Sequence, residues 1–167
     1  MAVDGSLQEL ISVWPHEGHA AELVCRLKYA RSTAVVSELA AAMAALAPEV
    51  DVVTWVPASP SRRRQRGFDQ GELLARALAR RRRVRVRRLL RRSDDEPQTG
   101  RGLDGRAAGP DLVPCGPRLR SGPTVLVVDD VSTTGTTLRR AASVLRSRGA
   151  GTVFGLVATQ ATLTGRP

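Results

Sequence analysis

The chain has 167 residues and a formal net charge of +10; 42% of its residues are hydrophobic, 25% charged and only 3% aromatic. That length supports one domain with a core of its own, built from Val, Leu and Ala rather than from rings, and the balance fits a soluble globular protein. No apolar run approaches the roughly 20 residues of a membrane span, and the N-terminus shows no basic segment followed by an apolar stretch and a cleavage site, so a cytoplasmic protein is expected.

In chain order, residues 17–30 read as a helix ending near Lys28 and Tyr29. Residues 33–46 read as a second helix, with Val36, Leu39, Ala40 and Met43 at helical spacing and Pro48 as its stop. Asp51 to Val56 is β-branched and short, the signature of a strand, and Pro57 to Gly67 reads as a loop rich in proline, serine and arginine. A helix should start at Asp69 and run to about Arg81. Asp69 and Glu72 have the spacing of an acidic capping box, and Phe68 and Leu73 can form its hydrophobic staple. Val84 and Val86 alternate with Arg85 and Arg87, so residues 83–90 read as a strand with one wet face. Residues 91–123, rich in proline and glycine, read as a long irregular segment. Thr124 to Asp130 reads as a buried strand. Residues 135–148 read as a helix with Leu138, Ala141, Ala142 and Leu145 on one face and Gly149 as its left-handed cap, and residues 152–159 as a last strand. This alternation predicts an α/β domain with a parallel sheet, and no repeat or linker divides residues 1–167.

The segment that carries chemistry is Val125 to Leu138. An apolar run ends in Asp129 and Asp130; Ser132, Thr133, Thr134, Thr136 and Thr137 then surround Gly135 before the helix begins. In a parallel sheet, ligands bind beyond the carboxyl ends of the strands, which is where this acid pair falls. Gly135 permits a tight turn, and successive N–H groups at a helix start cradle an anion. Adjacent carboxylates repel unless a cation or hydroxyl donors satisfy them, and a hydrated Mg2+ suits that role. Acids beside an anion cradle suit a sugar phosphate. A Walker-type P-loop is excluded, because there is no GxxxxGK[ST] and the only lysine is Lys28.

The remaining features are plainer. Cys25 and Cys115 have no CxxC partner, so a thiol zinc site cannot form from them without His16 or His19, and two reduced structural thiols are expected. The arginine excess calls for an anionic partner: nucleotide, pyrophosphate or nucleic acid. The run Arg80 to Arg83, continuing through Arg85, Arg87, Arg88, Arg91 and Arg92, lacks interleaved aromatics. It therefore offers single-stranded nucleic acid backbone contacts without base stacking.

The acid–hydroxyl segment resembles the PRPP-binding motif of type I phosphoribosyltransferases. The resemblance implies that fold, with a central, mostly parallel sheet flanked by helices and a flexible lid loop. It further implies that Asp129 and Asp130 contact the ribose 2′ and 3′ hydroxyls, while Ser132, Thr133, Thr134, Gly135, Thr136 and Thr137 wrap the 5′-phosphate. A second set of segments is similar to the ComF family within that superfamily: Val56-Pro57-Ala58-Ser59, Arg62 to Arg66, Gly67-Phe68-Asp69-Gln70 with Leu73-Leu74-Ala75, Lys28-Tyr29, and the spaced Gln98, Leu103 and Arg106.

From this resemblance follow a phosphoribosyl transfer from PRPP and Mg2+ to an unknown acceptor, release of pyrophosphate, and a homodimer. The pyrophosphate contacts it implies are Lys28, Ala58, Ser59, Arg62, Arg66 and Gly67. Residues 91–108 become the lid, with Arg106 joining Asp129 and Asp130 in catalysis and Gln98 beside it. Asp129 and Asp130 would hold the metal indirectly, through water or ribose. The resemblance equally suits a non-catalytic nucleotide-sensing or single-stranded nucleic-acid-binding protein in competence and DNA uptake. Two departures are visible: the cysteine-rich zinc module frequent at the family's N-terminus is missing, and Asp69 stands where the family has Asn. Thr133 occupies the place where some purine-using relatives carry an aspartate base.

Overall fold

The structure, a computed structural model, describes residues 5–30, 32–93 and 111–161. Its first element is one the sequence pattern did not announce: strand β1, Glu9–Pro15. Helices α1 (Gly18–Ala30) and α2 (Thr33–Leu46) follow, the second capped by Ser32. Strand β2 spans Val52–Trp55. The expected loop over residues 57–67 instead holds a short helix α3 (Pro60–Arg66). Ser59 caps it by accepting the Arg62 N–H at 3.3 Å, Pro60 supplies the fixed φ of a first turn, and Gly67 closes it with φ 74°. The serine–proline pair read as loop chemistry is therefore a helix start.

Helix α4 (Gln70–Arg82) begins after Asp69 as the capping box requires. The expected strand over residues 83–90 divides. Arg83, at φ 56°, ends α4; Arg85–Val86 form β3; and Leu90–Arg92 form β4 in a separate ribbon, antiparallel to β5 (Leu112–Pro114). Alternation breaks at Leu89 and Leu90, both buried, where the Leu89 N–H turns to the Thr54 hydroxyl at 3.3 Å. Strand β6 (Thr124–Ser132), helix α5 (Thr136–Ser147) and strand β7 (Thr152–Gln160) complete the order. Gln98, Leu103 and Arg106 lie outside the described residues.

The main sheet runs β1-β7-β6-β2-β3, all parallel. Two-residue alternation sends successive side chains of β6 to opposite layers. Leu126 and Val128 pack with Leu27, Leu39, Met43 and Leu78 of α1, α2 and α4. Val125 and Val127 pack with Leu138, Ala141, Ala142 and Leu145 of α5. Both faces are covered, so the central strands read as continuous apolar runs. The strand order reverses between β2 and β6, and it is at such a point that a crevice opens beyond the carboxyl ends.

Candidate active site

A cavity of about 690 Å3 sits at that switch point. β6 brings Asp129, Asp130 and Val131 to it, the following turn brings Thr133 and Thr137, and α1 brings Lys28. From the β2 side come Val56, Pro57, Ala58, Ser59, Ser61 and Arg62. A second cavity of about 100 Å3 adjoins it, bounded by Asp129 and by residues 131–138.

The acid pair is organised by its own backbone. An Asp129 oxygen accepts the Asp130 N–H at 2.9 Å, and Asp130 Oδ1 accepts the Val131 N–H at 2.9 Å. Asp130 Oδ2 is buried with no hydrogen-bond partner, and Lys28 Nζ stands 3.6 Å from it. Burial, then the adjacent Asp130 charge, with Asp69 adding a smaller push, hold the Asp129 carboxyl well above its ordinary range. An unsatisfied oxygen and a carboxyl that resists ionising both call for hydroxyl donors or a cation. Among the described residues no three His, Cys, Asp or Glu side chains gather to chelate a metal. A divalent ion here would therefore take most of its oxygens from water or ligand.

The smaller cavity opens at the N-terminus of α5. Helix α5 has no side-chain cap; its N-cap is Gly135, at φ 74°. A Cβ on Gly135 would come 3.0 Å from Leu10 Cδ2 and 3.3 Å from Arg139 Nη1, so the left-handed conformation strains any side chain there and these two side-chain ends would have to give by a few tenths of an ångström. The turn is braced by the 2.7 Å contact between the Thr134 and Thr136 hydroxyls and by Arg139 Nη1 donating to the Thr134 carbonyl at 2.6 Å. The N–H groups of the first turn and the positive end of the helix dipole face the space between these hydroxyls.

On the opposite wall, Asp69 ties two elements together. Its Oδ2 accepts the Ala58 N–H at 2.9 Å and its Oδ1 the Glu72 N–H at 3.2 Å. Gly71 allows α4 to sit against the strand end, because a Cβ there would lie 3.0 Å from the Val56 carbonyl oxygen.

Of the residues expected from sequence, Lys28, Ala58, Ser59, Arg62, Asp129, Asp130, Thr133 and Thr137 line the larger cavity, and Ser132, Thr134, Gly135 and Thr136 the smaller. Arg66 and Gly67 line neither. Helix α3 carries Arg62 to the cavity, while the Arg66 guanidinium lies 5.8 Å from the Tyr29 ring centroid. Arg106 is outside the described residues. Sequence reasoning missed Gln70, Gly71, Ser61 and Arg92. Arg92 belongs to the basic run, yet its Nε donates to the Pro57 carbonyl at 2.7 Å beside the larger cavity. The signals for Gln70 are its place directly after the helix cap and within the Gly67-Phe68-Asp69-Gln70 segment.

The model of the phosphoribosyl transferase domain family matches residues 69–162. None of the curated proteins matches the chain. Among solved structures, the allosteric regulatory enzyme of purine biosynthesis superposes with a TM-score of 0.55 at 22% identity, covering 80% of this chain and 30% of that one. Glutamine phosphoribosylpyrophosphate amidotransferase from B. subtilis, complexed with ADP and GMP, gives 0.54 at 22% identity with the same coverage. The chain thus spans about a third of the length of these neighbours, with which it shares the fold.

Proposed function

The chain belongs to the phosphoribosyl transferase domain family, and on that premise we propose that it is a ComF-like cytoplasmic enzyme that binds PRPP with Mg2+ and passes the phosphoribosyl group to an acceptor, releasing pyrophosphate. The observation that carries this reading is the pairing of an acid-walled cavity with an uncapped helix N-terminus in one crevice. In this reading Asp129 and Asp130 accept the ribose 2′ and 3′ hydroxyls. The 5′-phosphate sits on the N–H groups and hydroxyls of residues 132–137. Pyrophosphate is held by Lys28, Arg62 and the hydroxyl and backbone donors of Ala58 and Ser59.

Breaking the C1–pyrophosphate bond builds positive charge on the ribose and negative charge on the departing oxygen. Lys28 and Arg62 stabilise the latter, and the two carboxylates face the former. The unsatisfied Asp130 Oδ2 and the protonation-prone Asp129 fit a hydrated magnesium ion carried in with PRPP. When bound, the ion neutralises pyrophosphate charge. Arg106, in the segment read as a lid, completes the catalytic set. No helix among the described residues is long and apolar enough to cross a membrane.

Calorimetry with PRPP and Mg2+ tests the reading. Saturable one-site binding, abolished in Asp129→Asn/Asp130→Asn, is expected; heat unchanged by the double substitution overturns it. A pyrophosphate-release assay against a panel of bases and amines then identifies the acceptor.

A second reading rests on Arg80, Arg83, Arg85 and Arg88, which are exposed around the end of α4 and β3. They favour a polyanion, such as single-stranded nucleic acid, held through its backbone. Fluorescence anisotropy across a salt series decides: affinity absent at low salt ends this reading.

A further inference from the structure

The peptide between Pro57 and Ala58 is held at both ends by side chains from two other elements. Its carbonyl accepts from Arg92 Nε of β4 at 2.7 Å, and its N–H donates to Asp69 Oδ2, the cap of α4, at 2.9 Å. A guanidinium meets the negative end of the amide dipole and a carboxylate the positive end, so both bonds are of the charge-assisted kind. The two groups belong to one planar unit, and bonds on its opposite sides fix its orientation.

Strand period and anchoring bring Arg92 to this peptide. Leu90 and Arg92 share a face of β4, and Leu90 is buried in the core layer that also takes Val56 and Leu112. The ribbon is tied to β2 at one end by the Leu89 N–H on the Thr54 hydroxyl, and it closes at the other where the Ser93 N–H donates to the Asp111 carbonyl. The Arg92 side chain thus leaves an anchored backbone and lines the larger cavity, whereas Arg80, Arg83, Arg85 and Arg88 of the same run are exposed and do not line it.

What hangs from the clamped peptide is α3. None of its seven residues is buried, so core packing does not fix its position. Ser59 begins it, accepting the Arg62 N–H on its hydroxyl at 3.3 Å and the Arg63 N–H on its carbonyl at 2.9 Å. Ser61 and Arg62 reach the larger cavity from this helix. We propose that Arg92 is a positioning residue for pyrophosphate: by holding the Pro57 carbonyl it sets where α3 presents Ser61 and Arg62. The role rests on the reading of that wall as a pyrophosphate site, and it separates Arg92 from the arginine run in which it stands. Because Arg92 acts through a neutral carbonyl, the feature that matters is an N–H at the Nε position, not the positive charge.

Substitutions at this position separate the N–H from the charge. Arg92→Gln keeps an N–H at the same number of bonds from Cα and drops the charge; Arg92→Lys keeps the charge and puts a methylene there; Arg92→Met keeps neither. Calorimetry of the full chain with inorganic pyrophosphate should find Arg92→Gln closest to wild type. Arg92→Lys and Arg92→Met should bind about tenfold more weakly, the loss of one hydrogen bond to a charged group. Amide hydrogen exchange at Ala58, followed by NMR without ligand, should quicken in Arg92→Lys and Arg92→Met and stay slow in Arg92→Gln. Affinity kept by Arg92→Lys and lost by Arg92→Gln overturns the proposal, since Arg92 then acts as a charge on the ligand. Equal affinities overturn it too, as does an Ala58 exchange rate that no substitution alters. If Arg92→Met does not fold, the contrast between Arg92→Gln and Arg92→Lys decides. A wild-type chain that takes up no pyrophosphate overturns the reading of the wall itself, and the exchange series then still decides whether Arg92 holds the peptide.

Discussion

Asp69 accepts the Ala58 backbone N–H at 2.9 Å, fixing the end of β2 to the start of α4 across the wall of the site. The same carboxylate caps α4 through the Glu72 N–H. The two N–H groups use different carboxylate oxygens, and in asparagine an NH2, which only donates, replaces one of them. Asp69→Asn should therefore lose about 1 kcal/mol of stability, the usual value of a cap or one net hydrogen bond. Asp69→Ala should lose more, with weaker pyrophosphate affinity because Ala58 and Ser59 are freed. Urea unfolding paired with pyrophosphate titration separates the two effects.

Among the described residues, Lys28 is the nearest cation to the orphaned oxygen of Asp130, at 3.6 Å. Removing it in Lys28→Met leaves a buried carboxylate without its counter-charge and deletes one proposed pyrophosphate ligand. PRPP affinity should fall at least about tenfold, equivalent to roughly 1.4 kcal/mol. Unchanged affinity in calorimetry would remove Lys28 from the site.

Asp129 ties stability to pH with a definite sign. Its carboxyl in the folded chain binds a proton more tightly than in the unfolded chain, so between the ordinary value of about 4 and its raised value the native state holds more protons. This group's contribution is present below pH ~4 and is lost as pH rises through the folded value. Asp129→Asn should flatten that decline and leave the ligand-free protein more stable near neutrality, while PRPP binding is lost. Denaturant titrations at several pH values from 4 to 8 read the slope directly. Hydroxyl donors and a cation favour the ionised form, so wild-type PRPP affinity should rise with pH over the same interval.

Gly135→Ala forces a side chain into a left-handed conformation and against Leu10 and Arg139. Backbone strain of this kind costs on the order of 1–3 kcal/mol, and the N–H groups it disturbs are those of the anion cradle. A lowered melting temperature together with weakened inorganic phosphate binding is the expected pair of results.

Legibility in the sequence followed length and context. Residues 33–46, 69–81 and 135–148 were readable because their apolar spacing runs for several turns and their caps are standard chemistry. β1 was not, since Leu10 to Trp14 is a short apolar run whose period does not distinguish strand from buried helix. α3 was hidden because Ser59 and Pro60 punctuate a loop and start a helix equally well. The acid pair and hydroxyl turn were legible because the cavity walls there are contiguous in sequence. Gln70 and Arg92 reach the same cavity only through the packing of α4 and the β4–β5 ribbon, which no local pattern encodes. Arg66 fell the other way: its neighbours in sequence suggested the site, but helical rise sends it toward Tyr29.

Helix α5 carries Leu138, Ala141, Ala142 and Leu145 into the core, and yet its N-cap residue, Gly135, has no side chain to cap the first turn. Whatever anion settles there completes the helix as a cap would. Occupancy of the site and integrity of one core layer are then a single equilibrium, and warming the protein with and without phosphate becomes a gauge of how full the cradle is.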